Sequence, residues 1–315
     1  MMKSQKQTQS TFGPPPFILG SIKAFFKLAG NLAPELALKV LWRLIFHTRR
    51  KSFKPPHHAM IEQGDEMRFK VRVDKIPTPV LSLTAYRWGK SDRKIFLVHG
   101  WEAHALDFYK MIPTLVDAGF EVIALDAPAH GKSEGSEVNL IAVKQAIYQA
   151  ILRFGIPYAV IGHSFGGYAS AFTLSEYPVE VEKLIMIASP VYGSHMFEQI
   201  CATLGVPAQL QNRLFEALKE RFERPIESFN LVDLSQPIKA REIHYLYDER
   251  DEMVSHNDVE KLFKAKPYIN AKSFNGVGHF KMPRNEEVIE RVVEVLESED
   301  MKKSPIRRKR SIAIS

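Results

Sequence analysis

Apolar residues between Met67 and Leu296 follow two rhythms that alternate along the chain. The stretches "MRFKVRV" (67–73) and "LSLTAYRW" (81–88) alternate apolar and polar side chains, the period of a strand with one face on solvent. By contrast "KIFLVHG" (94–100), "EVIALDAP" (121–128), "YAVIGHS" (158–164) and "KLIMIAS" (183–189) are compact apolar runs rich in β-branched residues, which predicts strands covered on both faces. Helical spacing fills the gaps, at 108–118, 139–154 and 165–177. Strand and helix in alternation predict an α/β fold: a mostly parallel central sheet flanked by helices.

After Pro190 the alternation pauses, and 193–237 reads as helices. One of these, "PAQLQNRLFEALKERF" (207–222), places Leu210, Leu214, Leu218 and Phe222 on a single face. The sheet rhythm then resumes with "REIHYLYD" (241–248), a helix over 257–266, "AKSFNGVGHF" (271–280) and a last helix over 285–296. A helical insertion after a buried strand is where a lid over an active site is expected. The sequence thus divides into an arm over 1–66, a sheet-bearing domain over 67–300 with its lid at about 193–237, and a basic disordered tail over 301–315.

Within the arm, "PELALKVLWRLIF" (34–46) sets Glu35, Lys39 and Arg43 four apart on one side of an amphipathic helix. Its apolar face has two readings: packing on the protein's own body or a partner subunit, or lying on a membrane. Charge bears on that choice. The whole chain carries +7, but residues 1–56 carry +9, residues 301–315 carry +6, and the span between them carries −8. A nucleic-acid groove across the body is therefore not expected, whereas attraction of the two ends to an acidic surface is. Spanning helix and secretory signal are both unexpected, since Pro14, Pro15, Pro16, Lys23, Lys27 and Glu35 interrupt the N-terminal apolar stretch. Cys201 is the only cysteine, so neither an internal disulfide nor a thiolate zinc site can form. The chain reads as cytoplasmic, with a weak peripheral contact to the inner face of the membrane through its basic ends; its oligomeric state is not legible.

The chemistry centres on "VIGHSFGG" (160–167), where a serine stands between glycines at the junction of a buried strand and a helix. A serine that must project from a sheet edge needs a sharp, strained strand-to-helix turn. Side chains two positions away would collide with that turn, so Gly162 and Gly166 leave room, and Gly167 lets the helix approach the sheet. A hydroxyl needs a base to take its proton and a third group to orient that base. Among eleven histidines, His279 stands just beyond an apolar strand and after glycines, whereas His47, His57 and His58 lie in the arm and His195 and His256 in polar context. Past "REIHYLY" both Asp248 and Asp251 qualify by location as the orienting acid.

In order along the chain, "HGW" (99–101), "DAPAHGKSEG" (126–135), "GHSFGG" (162–167), "YDERDEMV" (247–254) and "GVGHF" (276–280) resemble the α/β-hydrolase superfamily, in its serine hydrolase branch. The resemblance implies Ser164 as nucleophile, His279 as general base and acid, and Asp251 rather than Asp248 as the residue orienting it. It also implies an oxyanion hole from the backbone N–H groups of Trp101 and Phe165, each donor worth on the order of 3 kcal/mol. No metal or organic cofactor is implied. His99 and His130 are expected to shape loops, Asp126 to anchor "APAHGKSEG", His163 to point away from the site, and Cys201 to fill the lid. Serine at the nucleophile position excludes the aspartate-based opening of epoxides and haloalkanes. The expected activity is hydrolysis of a small-molecule carboxylic ester through an acyl-enzyme. C–C bond hydrolysis, thioester hydrolysis and acyl transfer use the same triad, and a non-catalytic interaction protein would keep the same fold.

Overall fold

The computed structural model describes residues 16–303, with side chains placed from 17 to 298. The polar first residues and most of the basic tail named above lie outside that range. Two contact-defined units emerge. The larger runs from Phe46 to Gly193 and resumes at Glu227, and the smaller joins the described residues up to Ile45 with Ser194–Ile226.

In chain order, the helices before the sheet are α1 (Pro16–Leu32), α2 (Pro34–Phe46) and α3 (Pro55–Glu62). There follow β1 (Asp65–Arg72), β2 (Val80–Trp88), β3 (Lys94–Val98), α4 (Met111–Asp117), β4 (Glu121–Leu125), α5 (Leu140–Phe154), β5 (Ala159–His163), α6 (Phe165–Glu176) and β6 (Val181–Ile187). Then come α7 (Gly193–Leu204), α8 (Ala208–Phe222), β7 (Ala240–Asp248), α9 (His256–Ala265), β8 (Asn270–Phe274) and α10 (Glu286–Lys303). The eight strands form one sheet in the order β1-β2-β4-β3-β5-β6-β7-β8. β2 is antiparallel to β1 and β4, and every other pairing is parallel.

The apolar runs became the interior strands for the reason the pattern implies: β4 and β5 are buried at every position. On one face Phe108, Met111 and Leu115 pack with Val288, Val292 and Leu296 of α10 in the core that also holds Leu97, Ala124 and Ile161. On the other, α6 is buried from Phe165 to Ser175, as its small, uncharged sequence "FGGYASAFTLS" demands. β2 departs from its alternating pattern, for Thr84 and Tyr86 are fully buried on the face expected to meet solvent. The tyrosine hydroxyl reaches the Asp126 carboxylate at 3.4 Å, and the Thr84 N–H donates to Ser133 Oγ at 2.8 Å.

Several elements fall outside the sequence expectation. The helix expected over 108–118 is split into a 3-10 turn at Ala105–Phe108 and α4. After α8 only a 3-10 turn at Ile226–Ser228 is helical, and Asn230 then folds the chain back on itself, accepting from Asp233 N at 2.6 Å and donating to Glu227 O at 2.8 Å. α3 lies in the part of the arm where the sequence reading named no element; its two prolines suit a first helical turn, where a missing N–H costs nothing. Residues 46–66, grouped by sequence with the arm, belong by contact to the sheet-bearing unit, where Trp88 Nε1 donates to Met60 O at 2.8 Å and Val138 N to Phe46 O at 3.0 Å.

In the smaller unit α1 and α2 meet α7 and α8. A side-chain carbon on Gly30 would lie 3.1 Å from Pro207 Cγ, Arg213 pairs with Glu35 at 2.7 Å, and the Arg221 guanidinium sits 5.6 Å over the Trp42 ring. Phe26, Leu41 and Ile45 are buried on α1 and α2, and Cys201, Leu210, Leu214 and Leu218 on α7 and α8. Burial pushes the Cys201 thiol up to about 11, which leaves it a protonated filler.

Candidate active site

β5 ends at His163, and Ser164 turns the chain into α6 with φ 53° and ψ −125°, a conformation costing roughly 1–3 kcal/mol. The Ser164 N–H, donating to Ile187 O at 2.8 Å, ties the turn to β6. The glycines are required by space. A Cβ on Gly162 would strike the Gly167 backbone, one on Gly166 the carbonyls of Val98 and His99, and one on Gly167 the Ser189 hydroxyl.

Two further loops at the same edge of the parallel strands complete the site, the position where open α/β sheets place their ligands. Ser164 Oγ lies 2.9 Å from His279 Nε2, and His279 Nδ1 lies 2.8 Å from Asp251 Oδ2. Asp251 is in turn fixed by the N–H groups of Met253 and Val254, which donate to its Oδ1 at 2.7 and 3.1 Å. The structure thus brings together Ser164, His279 and Asp251, with the histidine between the other two.

Asp248 does a different job. It accepts from Arg250 N and Gly276 N at 2.9 Å and from Gly278 N at 2.5 Å, joining the turn of Asp251 to the loop of His279. Burial works to raise its pKa, yet these amides hold the carboxyl below the ordinary carboxylate range. Gly276 and Gly278 adopt φ of 80° and 83°, where a side chain would strain the loop.

Trp101 and Phe165 both adjoin Ser164: Trp101 lines the cleft beside it, and Phe165 follows it in the chain. The N–H of Phe165, first residue of α6, is among the helix-initial amides that have no intrahelical acceptor. The segment after β3 passes over the serine, since a Cβ on Gly100 would lie 3.0 Å from Ser164 Cβ. The rings of Trp101 and Phe165 meet edge to face, centroids 5.5 Å apart, forming an aromatic wall.

The neighbouring histidines and Asp126 are held by backbone. His99 Nδ1 donates to Gly100 O at 2.7 Å while its Nε2 accepts from Ala127 N at 3.0 Å; His130 likewise donates to Pro128 O at 2.9 Å and accepts from Glu102 N at 3.0 Å. Asp126 accepts from Ala105 N at 2.8 Å and Lys132 N at 2.9 Å, anchoring its loop. His163 corrects the expectation that it faces away. Its ring lies 5.2 Å from that of His279, and its Nε2 donates to His279 O at 3.0 Å. The strand alternation stops counting at the last residue of β5, where the backbone is already turning into the Ser164 bend.

A strap from residue 48 to 51, invisible in the sequence, holds the loops around the serine. Thr48 Oγ donates to Ala129 O at 2.7 Å, and Arg50 donates to Gly131 O at 2.6 Å and Gly135 O at 3.0 Å. Arg49 forms a two-pronged pair with Glu102, next to Trp101, at 3.0 and 2.9 Å. Lys51, Ala103, Asp107, Phe280 and Arg284 line the cleft beside Ser164.

Among the described residues, His57, His104 and Asp107 have the composition of a metal site, with ligand atoms within 4.8 Å of one another. They do not fit a dication. His57 Nδ1 already accepts the Lys54 N–H at 3.1 Å, which leaves the proton on the other nitrogen, and Asp107 has Arg284 at 3.5 Å and Lys51 at 3.9 Å.

The family described as alpha/beta hydrolase fold matches residues 94–283. A human protein named serine hydrolase-like protein is 27% identical over 124 residues, 38% of this chain and 61% of its own. The 2-hydroxy-6-oxononadienedioate/2-hydroxy-6-oxononatrienedioate hydrolase of Escherichia coli is 29% identical over 195 residues, 57% of this chain and 64% of its own. The chain thus spans under two thirds of the length of these relatives. Among solved structures, an esterase of Pyrococcus furiosus superposes with a TM-score of 0.58 at 18% identity, covering 80% of this chain and 97% of that one. A lipase-like protein of Acinetobacter baumannii gives 0.59 at 14%, covering 80% and 99%. With an eight-stranded, mostly parallel sheet and a family match over most of its length, the chain belongs to the α/β-hydrolase fold family.

Proposed function

We propose that this protein is a serine hydrolase of carboxylic esters, with Ser164 as nucleophile, His279 as general base and acid, and Asp251 as the group that orients the histidine. The observation that carries the reading is the Ser164–His279–Asp251 relay at 2.9 and 2.8 Å on a strained turn. In this mechanism Ser164 Oγ attacks the acyl carbon as its proton passes to His279 Nε2, and Asp251 stabilises the imidazolium through Nδ1–H. The N–H groups of Phe165 and Trp101 receive the developing oxyanion. His279 then protonates the departing alkoxide, leaving an acyl-enzyme. A water deprotonated by His279 cleaves that intermediate, releasing the carboxylic acid and restoring the serine.

A second reading, hydrolysis of a C–C bond in an oxo-dienoate, is favoured by the Escherichia coli relative. Labelling with a fluorophosphonate probe, followed by assay of short p-nitrophenyl esters, thioesters and an oxo-dienoate, tests both. Labelling and ester turnover are expected in the native protein and absent in Ser164→Ala. An equally labelled alanine variant would overturn the assignment, and turnover of the oxo-dienoate alone would select the second reading.

A further inference from the structure

Of the ten exposed large hydrophobic side chains among the described residues, six lie between Phe17 and Leu44, on α1 and α2 of the smaller unit. Their arrangement is ordered. At 3.6 residues per turn, Phe17, Leu28 and Leu32 fall within about 60° of one another on α1, and the buried Phe26 lies about 180° from Phe17. α1 therefore has two apolar faces, one packed inside the unit and one on solvent, where Phe17 is 86%, Leu32 76% and Leu28 65% exposed. α8 of the same unit has a single apolar face; its exposed positions are mainly Gln209, Asn212, Arg213, Glu216, Lys219 and Glu220. The outer stripe is thus peculiar to the arm.

Cations border that stripe. Lys23 and Lys27 are exposed on the side of α1 between its two apolar faces, and on α2 the exposed Lys39 and Arg43 flank Leu36 and Leu44. Glu35 is the only acid from Phe17 to Phe46, and it is paired with Arg213. No described helix is long and apolar enough to cross a membrane. An apolar stripe bordered by lysine and arginine is instead the pattern of a helix lying in the plane of a bilayer surface, apolar side chains inserted and cations at the headgroups.

We infer that the outer face of α1 is a docking surface for an anionic lipid bilayer. Lys23 and Lys27 beside the stripe supply a salt-sensitive attraction, and the inserted side chains supply one that salt does not screen. Each fully inserted Leu or Phe is worth about a tenfold change in partition.

The test is co-sedimentation of the full chain with vesicles of mixed anionic and zwitterionic lipid, and with zwitterionic vesicles alone, at low and high salt. Protein is expected in the pellet with anionic vesicles at low salt and mostly in the supernatant otherwise. The triple variant Phe17→Ser, Leu28→Ser, Leu32→Ser should lose about tenfold or more in partition, and Lys23→Glu, Lys27→Glu should lose the preference for anionic lipid. These positions are exposed, so melting temperatures by circular dichroism should match the native protein and exclude misfolding. Failure to pellet, or unchanged binding of the triple variant, overturns the proposal. So does a native dimer that the triple variant converts to monomer without any lipid binding, which assigns the stripe to a second copy of the chain.

Discussion

At the scale of single residues, the two candidate acids are separated by what they touch. Asp251 bonds the imidazole, whereas Asp248 bonds only amides of the surrounding turns. Asp251→Asn is therefore expected to lower kcat by about a thousandfold or more with little change in melting temperature, through loss of tautomer and of charge. Asp248→Asn should instead place an amide NH2 against backbone N–H donors, costing about 1–3 kcal/mol of stability in denaturant titration with a smaller effect on kcat. The reverse ranking would transfer the orienting role to Asp248. Sequence position alone allowed either residue, since both follow β7. His163 was misread because alternation says nothing about the residue at which a strand ends. His104 escaped notice altogether: it is buried with both ring nitrogens unpartnered, and nothing in its local sequence marks it.

At the scale of elements, the turn from β5 to α6 was legible because each glycine answers a collision that can be foreseen from the turn itself. Gly166→Ala is expected to abolish activity and to lower the yield of folded protein, because its methyl would meet the backbone carbonyls of Val98 and His99 rather than a side chain able to move. Retention of native activity in that variant would show the turn to be looser than described. Helix α8 announced itself through the spacing of its leucines, and Leu214→Ala is expected to cost about 2–5 kcal/mol, measurable as a lowered melting temperature. α1 and α3 were not legible. The prolines and charges of the α1 stretch read as interruptions and no element was read over α3, whose packing partners lie elsewhere in the chain: for α1 Pro207 beside Gly30, for α3 the Trp88 indole on Met60 O.

For the whole molecule, the buried histidines set a limit in acid. Burial holds His99 and His104 at about 4 and His130 and His163 at about 3, and it also lowers His57 and His244. His99, His104, His130 and His163 are neutral when folded and take up a proton on unfolding once the pH falls below about 6.5. Their stabilisation is complete above that value and is lost on acidification towards 4, with each histidine contributing up to about 1.4 kcal/mol per pH unit. Asp126, pushed up to about 6 by burial, acts in the opposite direction between about 3.8 and 6, as one group against several. Chemical denaturation at stepped pH should show stability falling steeply from about 6.5 to 4; a flat profile would mean these rings reach solvent. The fold as a whole was legible because strand composition reports burial on both faces. The grouping of α1 and α2 with α7 and α8 was not, since it depends on residues far apart in the chain, such as Glu35 and Arg213, which are 178 apart.

The strap has a consequence in time. Thr48 precedes Ala129 by 81 residues, Arg50 precedes Gly135 by 85, and Ser164 precedes His279 by 115. At about 5–20 residues per second of synthesis, the strap waits several seconds or more for its acceptors, and the serine then waits again for its histidine. A nascent chain halted before β8 would have its serine turn encoded without His279, the base of the proposed mechanism, so reactivity towards a fluorophosphonate should be among the last native properties that the growing chain acquires.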